Sequence, residues 1–226
     1  MLAPATNLAD QAESGLRRDI VVGNWPPKAR LPLDELKRHY GMGSSPLREA
    51  LSRLMGEGLV RKQNNCGFRV ADLSRKDLGE IEWMRVAVEC AALRDSIAQG
   101  GREWEGRIVG ALHRLTVATQ TTGTDRGSLD LWNDEHDVFH AALIACCGNT
   151  RALALQRRLA DQHRRYRIAL MGENMLRDEI VEEHRGIAEA TLKRDVETAV
   201  GLLAQNMRVT TNFYAAALQE RLAADV

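Results

Sequence analysis

Apolar residues recur along this chain at helical spacing, are interrupted once by a short alternating stretch, and then return to helical spacing up to the C-terminus. Leu8, Ala12, Leu16 and Ile20 fall at four-residue steps, the separation that stacks side chains along one side of an α-helix. Gly23 and the Pro26-Pro27 pair stop this first helix. A second, shorter helix is predicted from Leu33 to Tyr40, closed by Gly41. Ser45 suits an N-cap and Pro46 the first position of a third helix, where a missing N–H costs nothing. On that helix Leu47, Ala50, Leu51 and Leu54 share one face, with Arg48 and Arg53 turned from it. After Gly56-Glu57-Gly58 the texture changes. Leu59–Gln63 and Phe68–Asp72 are short β-prone runs flanking Asn64-Asn65-Cys66-Gly67, a hairpin signal.

Taken singly, the third helix is an ordinary amphipathic helix with solvated arginines, and the hairpin could merely cover a core edge. The order is more specific than its parts. A support helix, a tight Gly-containing turn, a helix with polar residues at its start and a two-stranded wing together describe a winged helix-turn-helix, whose third helix enters a DNA groove. From Ser74 onward only helical periodicity is found, over about 74–98, 102–120, 125–147, 150–171, 178–193 and 195–222. Ser74 and Asp77 offer a cap pair for the first of these, and Gly100-Gly101, Gly123, Gly148 and Gly172 punctuate the rest. The predicted fold is therefore mainly α: a winged helix-turn-helix domain over residues 1–73 and an all-α helical bundle over residues 74–226.

Charge changes this picture little. Lys plus Arg and Asp plus Glu both number 31, but residues 1–73 hold 11 basic against 8 acidic side chains. An excess of three permits DNA binding without arguing for it. Cys66, Cys90, Cys146 and Cys147 show no C-x-x-C spacing, which points to reduced thiols in a cytoplasmic protein. Neither a leader pattern nor an apolar run of membrane-spanning length is found, so a soluble protein without a membrane partner is expected.

The candidate chemistry lies in the bundle. His136 and His140 stand four apart on a predicted helix, which places both imidazoles on one face as two ligands of one metal ion would need, and His184 could converge from another helix. Surface or core histidines are the commoner explanation of such a spacing. No H-E-x-x-H motif is present. Arg85 shares its helical face with Ile81, Met84 and Val88. It could clamp an anionic ligand, or it could pair with Glu82 or Glu89. Arg164, Arg165 and Arg167 form a basic run whose default is solvent exposure, with Tyr166 among them turned inward. No nucleophile–base set, P-loop or dinucleotide fingerprint occurs. A metal-dependent enzyme acting on a small carboxylic acid is the remaining alternative, with His136, Asp137 and His140 supplying metal and base.

Pro-Leu-Arg-Glu-Ala-Leu-Ser-Arg-Leu-Met-Gly-Glu-Gly-Leu-Val (residues 46–60), followed by Gly67-Phe68-Arg69-Val70, resembles the winged-helix signature of GntR transcription regulators. Phe139-His140-Ala141-Ala142-Leu143-Ile144, then Gly148-Asn149, then Glu183-His184-Arg185, resembles the FCD-type sensory domain of the FadR subfamily. Within that group the turn Gly23-Asn24-Trp25, Gly100-Gly101-Arg102-Glu103-Trp104-Glu105 and His136-x-x-Phe139-His140 are similar to the carbon-starvation-induced CsiR-like members. The resemblance implies a DNA-binding regulator, a repressor released by a small carboxylate, with glutarate as first candidate. It implies a homodimer on a double-stranded operator. It implies DNA contacts from Ser44, Ser45, Pro46, Arg48, Arg53, Lys62, Gly67 and Arg69. It also implies an effector site at Arg85, Tyr166 and Asn206, and a zinc or nickel site at His136, His140 and His184. Two departures stand out. The reader helix carries Ser44 where relatives often have arginine, and the fourth metal position falls on Asn206 instead of histidine.

Overall fold

The computed structural model describes residues 7–63, 67–123, 125–170 and 178–224. They fall into two compact units, residues 1–74 with 164–169, and residues 75–163 with 170–226. The first unit contains α1 (Leu8–Val21), α2 (Leu33–Tyr40), α3 (Ser44–Gly56) and the strands β1 (Val60–Gln63) and β2 (Gly67–Val70). The strands pair antiparallel, Val60 opposite Val70 and Gln63 opposite Gly67. The turn residues 64–66, including Cys66, lie outside the described residues.

Leu16 and Ile20 of α1, Leu36 of α2, and Leu47, Leu51 and Leu54 of α3 close on Leu59, Val60 and Val70 to make this unit's core. The four-step row on α1 does not hold to its start. Leu8 is exposed and Ala9 is buried in its place. Each four-residue step overshoots a full turn by about 40°, so Leu8 sits about 120° around the helix from Ile20. Gly41 stops α2 in the left-handed region (φ 64°), where a residue without a Cβ is free of strain. Helix α3 begins two residues earlier than its sequence indicates: Gly43 is the N-cap and makes no side-chain cap bond. Pro46 is then the third helical residue, still among the first four N–H groups that lack an intrahelical partner.

The second unit contains α4 (Arg75–Gln99), α5 (Arg102–Thr121), α6 (Arg126–Leu143), most of α7 (Thr150–Leu170), α8 (Asp178–Leu192) and α9 (Val196–Ala224). Helix α6 ends at Leu143, short of the residue 147 expected from periodicity. Trp104, Ile108, Leu115, Trp132, Phe139, Ile187 and Leu203 form the centre of its core. Gly100 is fixed by packing: a Cβ there would lie 2.1 Å from the Trp104 ring. Trp104 donates from Nε1 to the Ala142 carbonyl at 2.8 Å, tying α5 to α6. Helix α5 packs on both α6 and α8, which holds them where their histidines converge, and α9 packs on α4 and α8.

The basic run on α7 is not solvent-exposed. Arg164, Arg165 and Arg167 are buried, and the Arg165 guanidinium donates to the Ala71 carbonyl within the first unit. Among the described residues, no helix is long and apolar enough to cross a membrane.

Candidate nucleic-acid interface and metal centre

At the start of α3, Ser44, Ser45 and Arg48 are exposed, and no side chain of the N-cap residue, Gly43, covers the first-turn N–H groups. That arrangement favours phosphate oxygens. Arg48 makes no hydrogen bond or ion pair among the described residues, so its guanidinium is available to a base edge. Arg53, also expected at DNA, is placed differently. Its guanidinium bonds Asp10 at 2.7 Å, Glu13 at 3.2 Å and Glu49 at 2.6 Å, joining α3 to α1.

In the wing, Lys62 is exposed and stands opposite Phe68, while Gly67 takes φ +78° at the turn. Arg69 donates from Nε to Gln63 Oε1 at 2.5 Å and from Nη1 to the Lys28 carbonyl at 3.0 Å. Lys28, Arg61, Lys62, Gln63 and Arg69 line one hollow of about 380 Å³. Lys28 and Arg61 were not legible as members of this surface. Lys28 arrives from the loop before α2 with φ 68°, a conformation that no local sequence signal announces.

The second site is assembled by α6, α8 and α9. The i, i+4 spacing brings the His136 and His140 rings within 4.5 Å of one another, and His184 of α8 closes the group at 5.2 and 5.4 Å. One nitrogen from each lies within 4.8 Å of the others, and all three residues are buried. His184 Nδ1 lies 2.6 Å from the Ile180 carbonyl. A carbonyl only accepts, so Nδ1 carries a proton and Nε2 is the nitrogen turned to the cluster's use.

His140 is the most telling. It is 3% exposed, and neither ring nitrogen has a hydrogen-bond partner among the described residues. Burial, then the neighbouring His136, His184 and Arg85 charges, hold its pKa well below the usual histidine value, with Asp137 opposing. The ring is therefore neutral near pH 7, the form that ligates metals. A buried imidazole with both nitrogens stranded costs free energy unless something accepts the lone pair. Three imidazoles converging in this way suit a divalent transition ion such as zinc or nickel.

Arg85 lies on the α4 side of this cluster, buried, with Nε donating to Glu89 Oε1 at 2.7 Å. The pairing with Glu89 is thus present, and Arg85 still acts electrostatically on His140. Asn206 of α9 lines a cavity of about 30 Å³ with His136, His184, Glu183, Trp132 and Tyr214. Its Nδ2 donates to Glu183 Oε2 at 2.9 Å, a contact between residues 23 positions apart that sequence reading missed. Tyr166 is not at this cavity. Its hydroxyl bonds the backbone N and O of Ser74, both at 3.1 Å. A larger groove of about 780 Å³ on α5, α6 and α7 contains none of the three histidines.

Comparison with known proteins identifies both domains. Residues 8–70 match the bacterial regulatory proteins of the gntR family, and residues 80–208 match the FCD domain. The HTH-type transcriptional repressor GlaR of Escherichia coli is 35% identical over 196 residues, covering 85% of this chain and 89% of GlaR. The HTH-type transcriptional regulator BphR of Paraburkholderia xenovorans is 34% identical over 203 residues, covering 89% and 83%. The solved structure of E. coli McbR/YncC superimposes with TM-score 0.80 at 20% identity, covering 96% of this chain and 100% of that one, a likeness of fold. These relatives are regulators, which disfavours the enzyme alternative, and no specific likeness to CsiR emerges. The chain belongs to the GntR family of bacterial transcription regulators, with an N-terminal helix-turn-helix domain followed by an FCD domain.

Proposed function

We propose that this regulator is a repressor that binds its operator as a homodimer and is released by a small carboxylate bound beside a metal ion in the FCD domain. The observation that carries the sensory half is the buried His140 ring with two stranded nitrogens, facing His136 and His184. These three residues would hold zinc or nickel, and the ion would supply positive charge and open coordination positions to a carboxylate. The likeness to GlaR, a transcriptional repressor, supports the sign of regulation. Glutarate is the first effector to test, with Arg85 as its clamp and Asn206 beside it. Tyr166 is left out because its hydroxyl is engaged by Ser74.

In the DNA-binding domain, taken as residues 1–73, Arg48 would read base edges. Ser44, Ser45 and Pro46 at the start of α3, with Lys62, Gly67 and Arg69 of the wing, would position the protein on phosphates and in the minor groove. Two-fold symmetry of a dimer would be mirrored in a pseudo-palindromic operator. Isothermal titration of chelator-treated protein with zinc tests the metal claim: about one ion per chain is expected, lost in His140→Leu. Absence of binding, or equal binding by the variant, refutes it. A mobility shift on the gene's own upstream DNA tests the other half, where equal affinity for scrambled DNA refutes operator recognition.

A further inference from the structure

Glu183 precedes the metal-site candidate His184 by one position, yet its carboxylate turns to α9 and accepts from Asn206 Nδ2 at 2.9 Å. A carboxylate has only acceptor oxygens, so the NH2 side of the amide must face it. An isolated asparagine could present either end to a neighbour. Here Glu183 removes that choice, and Oδ1 becomes the atom that Asn206 has left to offer. Asn206 is 7% exposed and shares its cavity with His136 and His184. That cavity, about 30 Å³, has room for little more than a water-sized occupant, so an occupant must touch the groups that line it.

Resting on the three-histidine reading, we propose that Glu183 is a positioning residue that fixes the Asn206 amide so that its carbonyl oxygen completes the metal site. The NH2 end could not serve, because it has no lone pair to give and carries positive partial charge. The donor set is then three neutral nitrogens and one neutral oxygen. With the donors themselves uncharged, the ion's positive charge is available to an anionic ligand, which has to widen the cavity of about 30 Å³ to reach it. Glu183 acts at one remove, as the partners of metal ligands commonly do.

The test is titration of the full chain with cobalt(II), a spectroscopic stand-in for zinc, reading affinity and visible absorption, in wild type, Glu183→Gln, Asn206→Ala and His140→Leu. Glutamine can face Asn206 with its oxygen or its NH2, which restores the amide's freedom to flip. Glu183→Gln and Asn206→Ala should each bind cobalt about 10- to 100-fold more weakly. Each should also show an altered absorption band, and His140→Leu should lose binding. Unchanged melting temperatures in chelator for the Glu183 and Asn206 variants identify the effect as one on the site. A Glu183→Gln affinity and band equal to wild type overturn the proposal, while loss in His140→Leu leaves the three-histidine site standing. Wild type that takes up no cobalt, or His140→Leu that binds it as well as wild type, overturns both.

Discussion

Replacing His140 by leucine should stabilise the metal-free protein, although the residue is buried in the core of its domain. The neutral imidazole has one N–H donor and one lone pair, and among the described residues both nitrogens are buried without partners. Each stranded polar group costs about 1–3 kcal/mol. Leucine has nearly the same bulk and no polar atom, and imperfect repacking returns about 1 kcal/mol of the gain. A net gain of about 2 kcal/mol is expected, which raises the melting temperature by about 4–8 °C for a protein of this size. Zinc at about 100 times its dissociation constant should stabilise wild type by about 2.7 kcal/mol and the variant not at all, so the order should reverse. Thermal unfolding followed by circular dichroism, with chelator and then with zinc, reads both effects. A variant that melts below wild type in chelator would show that His140 is satisfied in a way the structure lacks. Equal zinc shifts for the two proteins would remove the ion from these histidines.

Three further outcomes follow from the geometry. Arg48→Ala should weaken operator binding by about 1–3 kcal/mol at fixed salt and relax sequence preference, whereas Arg53→Ala, which removes the link to Asp10, Glu13 and Glu49, should affect affinity less; anisotropy titrations on operator and scrambled duplexes separate the two. Arg85→Ala should destabilise by about 3–5 kcal/mol in urea unfolding by leaving Glu89 buried without its partner, while Arg85→Met with Glu89→Leu should recover most of that loss. Tyr40 donates to Asp19 at 2.6 Å; although burial raises the Asp19 pKa, hydrogen bonds from Tyr40, Asn24 and His39 bring it below the usual carboxylate value. This stability is present above the unfolded pKa of about 3.9 and is lost as pH falls through the folded one. Tyr40→Phe should therefore cost about 1.5–3 kcal/mol at neutral pH and move acid unfolding to higher pH.

Much of the architecture was legible because local signals agreed with one another. Gly41, Pro46 and the apolar face of α3 set the tight turn and reader helix, and the alternating runs around Gly67 set the wing. The reading failed where periodicity was extrapolated. Leu8 continued a four-step row that a 3.6-residue helix cannot keep on one face. Arg164, Arg165 and Arg167 looked solvent-exposed because their acceptors, such as the Ala71 carbonyl, are distant in sequence. At the candidate metal centre, the i, i+4 pair was visible in the helical repeat, and His184 was placed by family resemblance. The stranding of His140, the pairing of Arg85 with Glu89 in preference to Glu82, and the hold of Glu183 on Asn206 depend on how α4, α6, α8 and α9 pack. No spacing rule within one helix carries that information.

Coupling between the two domains is the crux, because a ligand shifts an equilibrium only through its difference in affinity for the two states. The most direct measurement is fluorescence anisotropy of a labelled duplex from the gene's own upstream region, titrated with zinc-loaded protein at increasing glutarate. Wild-type affinity should fall at least tenfold, and His140→Leu should bind the duplex with no response to glutarate. Wild-type affinity that ignores glutarate, where thermal shift shows that glutarate binds, would contradict release by this effector, and a full response in His140→Leu would contradict control through the histidine site.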